Sequence, residues 1–279
     1  MGPEHPYLFD PAYGYDEAAL RAIGAPPEPE GYADFWTATH REILAIPPRI
    51  ERRPVAGIDP EFAVFEIEFD SFAGFRVGGW LTVPKTGPIA HGLIAGHGYG
   101  GREEPSYSSG AVTLAPCARG FHRSARPDLP GEALHHVLRG IESRDDYILR
   151  GCVADLWAAA TALLELFPEL AGHLHYAGTS FGGGSGAAVR GYWRRHPAVL
   201  DVLAFYDAAT AARRIAVPVL AAPALFDPVV PPPGQWAVSN AFGGPHELFV
   251  LPTGHFDTAE TPSIQAALQR RVFDWWRET

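Results

Sequence analysis

The chain is poor in cysteine, in positive charge and in long apolar runs, and each shortage removes a class of protein. Two cysteines, Cys117 and Cys152, among 279 residues provide neither a disulfide framework nor the spacing of a metal site. Lys and Arg number 22 against 32 Asp and Glu, a net charge of −10 that argues against nucleic acid and anionic membrane surfaces as partners. No stretch approaches the roughly 20 apolar residues needed to span a bilayer. Residues 1–16 carry prolines, acids and tyrosines where a secretory signal would carry a basic and then an apolar segment, so a cytoplasmic protein is expected. Internal repeats, low-complexity tracts and linkers are missing too. Apolar residues, at 47%, suffice for a substantial core. A chain of this length in an α/β pattern is routinely one domain, so residues 1–279 read as one, with residues 1–60 as an extension packed on it.

What is present is a serine between glycines. Gly178-Thr179-Ser180-Phe181-Gly182 follows a short run, residues 174–177, that reads as a buried strand, and precedes Gly186 to Val189, which reads as the start of a helix. A serine on the sharp turn between the two adopts a strained backbone, tolerable only where its neighbours lack bulk. The turn lifts the hydroxyl clear of the sheet and aims the next backbone N–H at a bound carbonyl. Such a nucleophile elbow requires an acid after a later strand and a histidine after the last one, in that order. The apolar run at residues 217–225 ends in Phe226-Asp227-Pro228, and the run at 248–251 ends in Pro252-Thr253-Gly254-His255. Asp227 and His255 therefore lie beyond the carboxyl ends of two expected strands, where open α/β sheets place their sites. Serine is a weak nucleophile until an imidazole takes its proton, and the carboxylate fixes the tautomer and stabilises the imidazolium. The rival acid is Asp207 and the rival histidine is His246, which precedes the last strand.

An expected strand over residues 89–95 runs into Gly96-His97-Gly98-Tyr99-Gly100-Gly101. A glycine-rich loop there lets backbone approach the substrate oxygen, so the backbone N–H groups of Tyr99 and Phe181 are the candidate oxyanion hole. His97 reads as a backbone hydrogen-bonder beside that loop, and Arg119 as a structural cation pinning the elbow. His135-His136, and His173 with His175, lack helical i, i+4 spacing and carboxylate company, so no metal site is expected.

The run His97-Gly98-Tyr99-Gly100-Gly101, then Arg119-Gly120, the Gly178 to Gly183 elbow, Asp227 followed by Val230-Pro231-Pro232, and Gly254-His255 resembles the acetyl xylan esterase / cephalosporin C deacetylase family. Residues 69–80 resemble that family's entry hairpin, and Pro11-Ala12-Tyr13-Gly14 with Phe35-Trp36 suit its N-terminal region. The resemblance covers nearly the whole chain with interruptions. It implies an α/β-hydrolase fold, a Ser180–Asp227–His255 triad, no metal or cofactor, removal of acetyl groups from sugars and related small esters, and a homo-oligomer, by family habit a hexamer. Phe121, Phe181 and Phe256 stand where the family usually has glutamine, glutamine and glutamate, which implies a more apolar pocket. The stretch between Ser180 and Asp227 lacks the family's longer insertion, and residues 201–207 fit either a strand or the remnant of a helix. Two readings stay open beside the acetyl esterase: another α/β-hydrolase of dienelactone-hydrolase or peptidase type, and a catalytically idle binding protein.

Elsewhere the pattern predicts a helix over residues 32–45 crossing the sheet. Phe65, Ile67 and Phe69 alternate with Glu66 and Glu68, the period-2 mark of a half-buried strand, and a turn at Ala73-Gly74 leads into a second strand through Val83. Strand–helix alternation follows. The fold expected is therefore α/β, a mostly parallel doubly wound sheet with an antiparallel N-terminal hairpin. One helix presents Leu149, Cys152, Val153, Leu156, Ala160, Leu163, Leu164 and Phe167 on a single face, and a last covering helix runs over residues 262–276.

Overall fold

Ile67 and Phe69 turn into the core along β2 (Phe62–Asp70), while Phe62 and Val64 are buried on its other face; β2 pairs antiparallel with β3 (Arg76–Pro84), Phe65 opposite Leu81 and Phe69 opposite Val77. The turn between them places Ala73 at φ 56° and Gly74 at φ 69°, both left-handed, which closes the hairpin expected from the sequence. The computed structural model describes residues 3–180 and 186–278. They form two compact units, residues 30–202 on one hand and residues 3–29 with 203–278 on the other.

The first unit holds a six-stranded sheet in the order β1-β2-β3-β5-β4-β6, where β1 is Glu51–Val55, β4 His91–Ala95, β5 Ala111–Pro116 and β6 Leu174–Ala177. Pairings from β1 through β5 are antiparallel, and β4 lies parallel to both β5 and β6. The swap of β4 and β5 brings the ends of β4 and β6 side by side, Ala95 opposite Ala177. The antiparallel part thus extends beyond the expected hairpin at both sides.

The helix α4 (Ile148–Leu166) packs across β2, β4 and β5, and α2 (Tyr32–Leu44) packs on α4. Ile67, Phe69, Leu81, Ile94, Leu114, Ala159 and Leu163 form the core between them. The face of α4 that turns inward differs from expectation. Cys152 and Leu163 are buried, but Leu149, Val153, Leu156, Ala160, Leu164 and Phe167 are only half-buried, and Gly151, Ala154, Ala158, Ala159 and Ala162 take the inner positions. Small side chains let the helix approach the sheet closely, and the bulkier ones pack along its flanks. Asp155, also on the inner face, is buried with Arg119.

After β6 come α5 (Gly186–Arg195) and α6 (Val199–Leu203), with a 3-10 turn over Ala204–Tyr206. Residues 201–206 are thus helical and no strand forms there, which decides between the two expectations. No further strand flanks β6 among the described residues, and the strand expected to be buried has Tyr176 at 61% exposure. A short helix, α3 (Ala133–His136), completes this unit.

The second unit contains α1 (Glu17–Arg21), α7 (Ala208–Ala212), α8 (Pro232–Ser239), α9 (Thr261–Glu278) and a parallel pair, β7 (Val219–Ala221) with β8 (His246–Leu248), continued by a bridge from Ala224 to Leu251. Trp236 of α8 is fully buried and donates its indole N–H to Ala224 O at 2.9 Å. Arg271 forks onto Glu247 at 2.7 Å through both Nε and Nη2, holding α9 to β8. No described helix is long and apolar enough to cross a membrane.

Candidate active site

Ser180 stands just past the end of β6 at φ 64°. A left-handed backbone costs a side-chain-bearing residue on the order of 1–3 kcal/mol and persists only where the surroundings impose it. The surroundings include the loop after β4. A Cβ placed on Gly98 would lie 3.4 Å from Ser180 Cβ and 3.7 Å from its Oγ, ordinary contact distances that put the loop directly against the serine side chain. The parallel pairing of β4 and β6 sets the serine and the glycine-rich loop beside each other.

That loop is pinned from below. His97 Nδ1–H donates to Gly98 O at 2.6 Å, while its Nε2 accepts the Ala118 N–H at 2.8 Å. Because Nε2 accepts, the proton sits on Nδ1, and the ring acts as a backbone bridge in line with the sequence reading. Gly101 N–H closes a turn onto Gly98 O at 3.0 Å, with Tyr99 at its crest. The Tyr99 ring packs edge-on against Phe121 and His136, and its hydroxyl lies 3.3 Å from His136 Nδ1. His136 Nε2–H donates to Arg119 O at 2.9 Å, so Nδ1 is the acceptor for the tyrosine. Burial raises the Tyr99 hydroxyl well above its usual range and keeps it a donor.

The described contacts of Arg119 form a buried ion pair. Its guanidinium forks onto Asp155, Nε to Oδ2 at 2.9 Å and Nη2 to Oδ1 at 2.7 Å, with Ser71 Oγ donating to the same carboxylate at 2.6 Å. Burial disfavours this charge, but Asp155 outweighs it and raises the arginine above its ordinary value. The signal for Asp155 was legible: an acid on an apolar helix must find a partner.

Asp227 is 1% exposed and sits after β7 in the loop leading to α8. Four donors converge on it. The Val229 and Val230 N–H groups reach Oδ1 at 2.8 Å each, and Gln235 Nε2 and His255 Nδ1 reach Oδ2 at 3.0 and 2.8 Å. Gln235 also donates to Val230 O at 2.7 Å and accepts the Ala224 N–H at 2.9 Å, so one side chain ties the loop to β7's extension. Sequence reasoning missed Gln235, which carries no motif of its own. His255 is held at φ 44°. A Cβ on Gly254 would lie 2.5 Å from Asp227 Oδ2, which explains the glycine before the histidine. With Nδ1 donating to the carboxylate, the other ring nitrogen is presented as a base.

The candidate residues thus fall into two groups, each assembled within one unit: Ser180 with the Gly98–Tyr99 loop, and Asp227 with His255. Phe181, the second candidate oxyanion donor, lies outside the described residues. The rival acid Asp207 instead caps α7, Oδ1 accepting the Thr210 N–H at 2.7 Å, and the rival His246 opens β8 with Nδ1 3.1 Å from Gly244 O. His175 Nε2 and His91 Nδ1 lie 3.0 Å apart with the His173 ring 6.3 Å from that of His91. Among the described residues no cluster of three or more His, Cys, Asp or Glu is arranged to hold a metal ion.

The family model described as acetyl xylan esterase matches residues 20–196 and 188–277. The chain belongs to the acetyl xylan esterase family. It is a carboxylic ester hydrolase, and the family is the one its motifs resemble. Among solved structures it is similar to acetyl xylan esterase 1 from a Thermoanaerobacterium species, 22% identical, with 93% of this chain and 98% of that chain covered at a TM-score of 0.76. An acetyl xylan esterase from a Paenibacillus species, 20% identical, covers 93% of this chain and 99% of its own at the same TM-score of 0.76. At such identities the likeness establishes the α/β-hydrolase fold, the class expected from the strand–helix alternation.

The buried imidazoles make a pH prediction. Burial lowers the pKa of His97, with Arg102 and His122 adding to the shift and the Gly98 carbonyl opposing it. Burial likewise lowers His136, against its bond to Arg119 O and helped by the Arg119 charge and His97. In the unfolded chain both titrate near about 6.5. Between the depressed values and about 6.5 the unfolded chain binds more protons, so their contribution is complete above that range and is lost as pH falls through it. The melting temperature should therefore fall from pH 7 to pH 5, and His136→Gln should flatten the slope. Parallel slopes for the two proteins count against this account.

Proposed function

We propose that the chain removes acetyl groups from acetylated sugars, passing the acyl group first to Ser180 and then to water. In this mechanism Ser180 Oγ attacks the ester carbonyl carbon while His255 Nε2 takes its proton. Asp227 holds the imidazole in the required tautomer and balances the positive charge that forms on it. The backbone N–H groups of Tyr99 and Phe181 receive the negative oxygen of the tetrahedral intermediate. Collapse breaks the bond to the sugar oxygen, which leaves with the proton from His255. Water then repeats the sequence on the acyl-serine, and acetate departs.

The observation that carries this reading is the Asp227–His255 pair, a buried carboxylate with four donors and an imidazole oriented through Nδ1. That investment in one ring has no purpose in a scaffold protein. The strained Ser180 at the mouth of the Gly98 loop supports it. The bonds between His97 and backbone leave that ring no part in proton transfer. A cytoplasmic setting and a homo-oligomer belong to the same proposal, the first supported by two free, buried thiols and the second by the family resemblance alone.

Reaction with a fluorophosphonate followed by peptide mass spectrometry tests the assignment. The adduct should sit on Ser180, and acetyl esters of xylose and p-nitrophenol should be cleaved faster than the butyryl ester. An unlabelled Ser180 favours the idle reading, and a preference for butyryl or peptide substrates favours a different hydrolase.

A further inference from the structure

His255 is held left-handed, a geometry that a residue with a side chain keeps only where its neighbours impose it. On one side the neighbour is Gly254, whose N–H donates to Phe226 O at 2.8 Å. On the other it is Phe256, whose ring packs 5.3 Å from that of Phe226 and meets Tyr7 edge-on at 5.9 Å. Phe226 directly precedes Asp227, and Phe256 directly follows His255, so the two phenylalanines are chain neighbours of the buried pair. Phe256 stands where the family usually has glutamate, which could not join such ring packing.

The segment that brings Tyr7 there is fastened by bonds of its own. The Asp227 N–H donates to Pro11 O at 3.1 Å, and Pro11 is buried. Asp10 caps the turn that follows, accepting from the Ala12 and Gly14 N–H groups at 2.9 and 2.7 Å, and Tyr13 is held left-handed at φ 57°. His5 backs the arrangement, 5.2 Å from Phe226 and 5.7 Å from Tyr7. Tyr7 is half-buried while Leu8 and Phe9 beside it are exposed, so Tyr7 is the side chain that this segment turns toward the loops of the acid and the histidine. Edge-on ring contacts are directional, and they fix orientation as well as distance.

We propose that Tyr7 is a positioning residue for the base: by fixing Phe256 it holds His255 in the left-handed form that brings Nδ1 within 2.8 Å of Asp227. The inference rests on the reading of His255 as the general base and adds the part of the chain that keeps it aimed. Tyr7 acts only through Phe256. Without its ring the His255 backbone relaxes toward an ordinary conformation and the imidazole leaves the carboxylate. Substrate still binds, but the proton acceptor is misplaced, and small misplacements of a catalytic group are costly in rate.

The test compares Tyr7→Ala with Tyr7→Phe on p-nitrophenyl acetate. Tyr7→Ala should lower kcat about tenfold, the effect of one lost edge-on contact, and leave KM within about twofold of the parent. Tyr7→Phe keeps the ring and should match the parent. Phe256→Leu should lower kcat to a similar degree, and the two losses should not add, since the tyrosine acts through the phenylalanine. A second readout needs no ester. In protein carrying isotope-labelled histidine, the proton that His255 Nδ1 donates to Asp227 gives a low-field NMR signal, assigned by its absence in His255→Gln. Tyr7→Ala should shift or broaden it, and Tyr7→Phe should not. An unchanged kcat, a change confined to KM, additive losses with Phe256→Leu or an undisturbed signal overturns the proposal. If Tyr7→Ala fails to fold, Tyr7→Leu takes its place under the same criteria. If the parent cleaves no ester, the base reading fails while the signal still decides what Tyr7 holds.

Discussion

Replacing Ser180 by alanine is expected to lower kcat for p-nitrophenyl acetate on the order of 10⁶-fold while leaving the thermal unfolding midpoint within a few degrees of the parent. The magnitude follows from the division of labour. The hydroxyl is the only atom that bonds to the substrate carbon, and the imidazole and carboxylate act through it, so its removal discards the contribution of all three. Binding and oxyanion stabilisation remain, and they hold the residual rate above that of water. Stability should survive because the methyl group fits the space beside Gly98 that the Cβ of Ser180 already occupies. Asp227→Asn should be milder, about 10⁴-fold, since the nucleophile and base persist in the wrong tautomer. Retention of even a tenth of the parent rate in Ser180→Ala would remove this serine from the chemistry.

The parts of the site that could be read from sequence are those where covalent geometry leaves few options. A serine between glycines at a strand-to-helix turn must be left-handed, and Ser180 is. Acids and histidines that follow apolar runs fall at strand ends, and Asp227 and His255 meet there. What escaped depends on packing at a distance. The strand β1 reads Glu-Arg-Arg-Pro-Val, without alternation, because four of its five side chains are exposed and the ladder to β2 alone makes it a strand. The inner face of α4 differs from the one that side-chain bulk predicts, because close approach to the sheet selects alanine and glycine. β6 is more exposed than its apolar composition predicts, and no further strand pairs with it among the described residues. Gln235 and His136 orient Asp227 and Tyr99 from positions that no spacing rule connects to them.

Asp155→Ala is expected to destabilise the fold by about 3–5 kcal/mol, the cost of leaving a buried guanidinium without its counter-charge. Both partners are nearly sealed, their side chains 9% and 2% exposed, so water cannot replace the lost carboxylate. The arginine has further ties, Nη2 to Phe72 O at 3.4 Å and its guanidinium 4.6 Å from the Phe75 ring, which hold it in place where it would otherwise swing out. Removing both charges should cost less than removing one: Arg119→Met/Asp155→Leu leaves no orphaned ion and fills similar space, and such replacements are often neutral. The same contacts link stability to activity. Arg119 O accepts from His136, whose other nitrogen meets Tyr99, so a shifted arginine loosens the loop proposed to stabilise the oxyanion. The single variant should therefore lose esterase turnover as well as denaturant resistance, and a urea titration with parallel rates measures both. A midpoint for Asp155→Ala equal to that of the parent would mean that the charge of Arg119 finds solvent, and the pair would then have no hold on the loop above it.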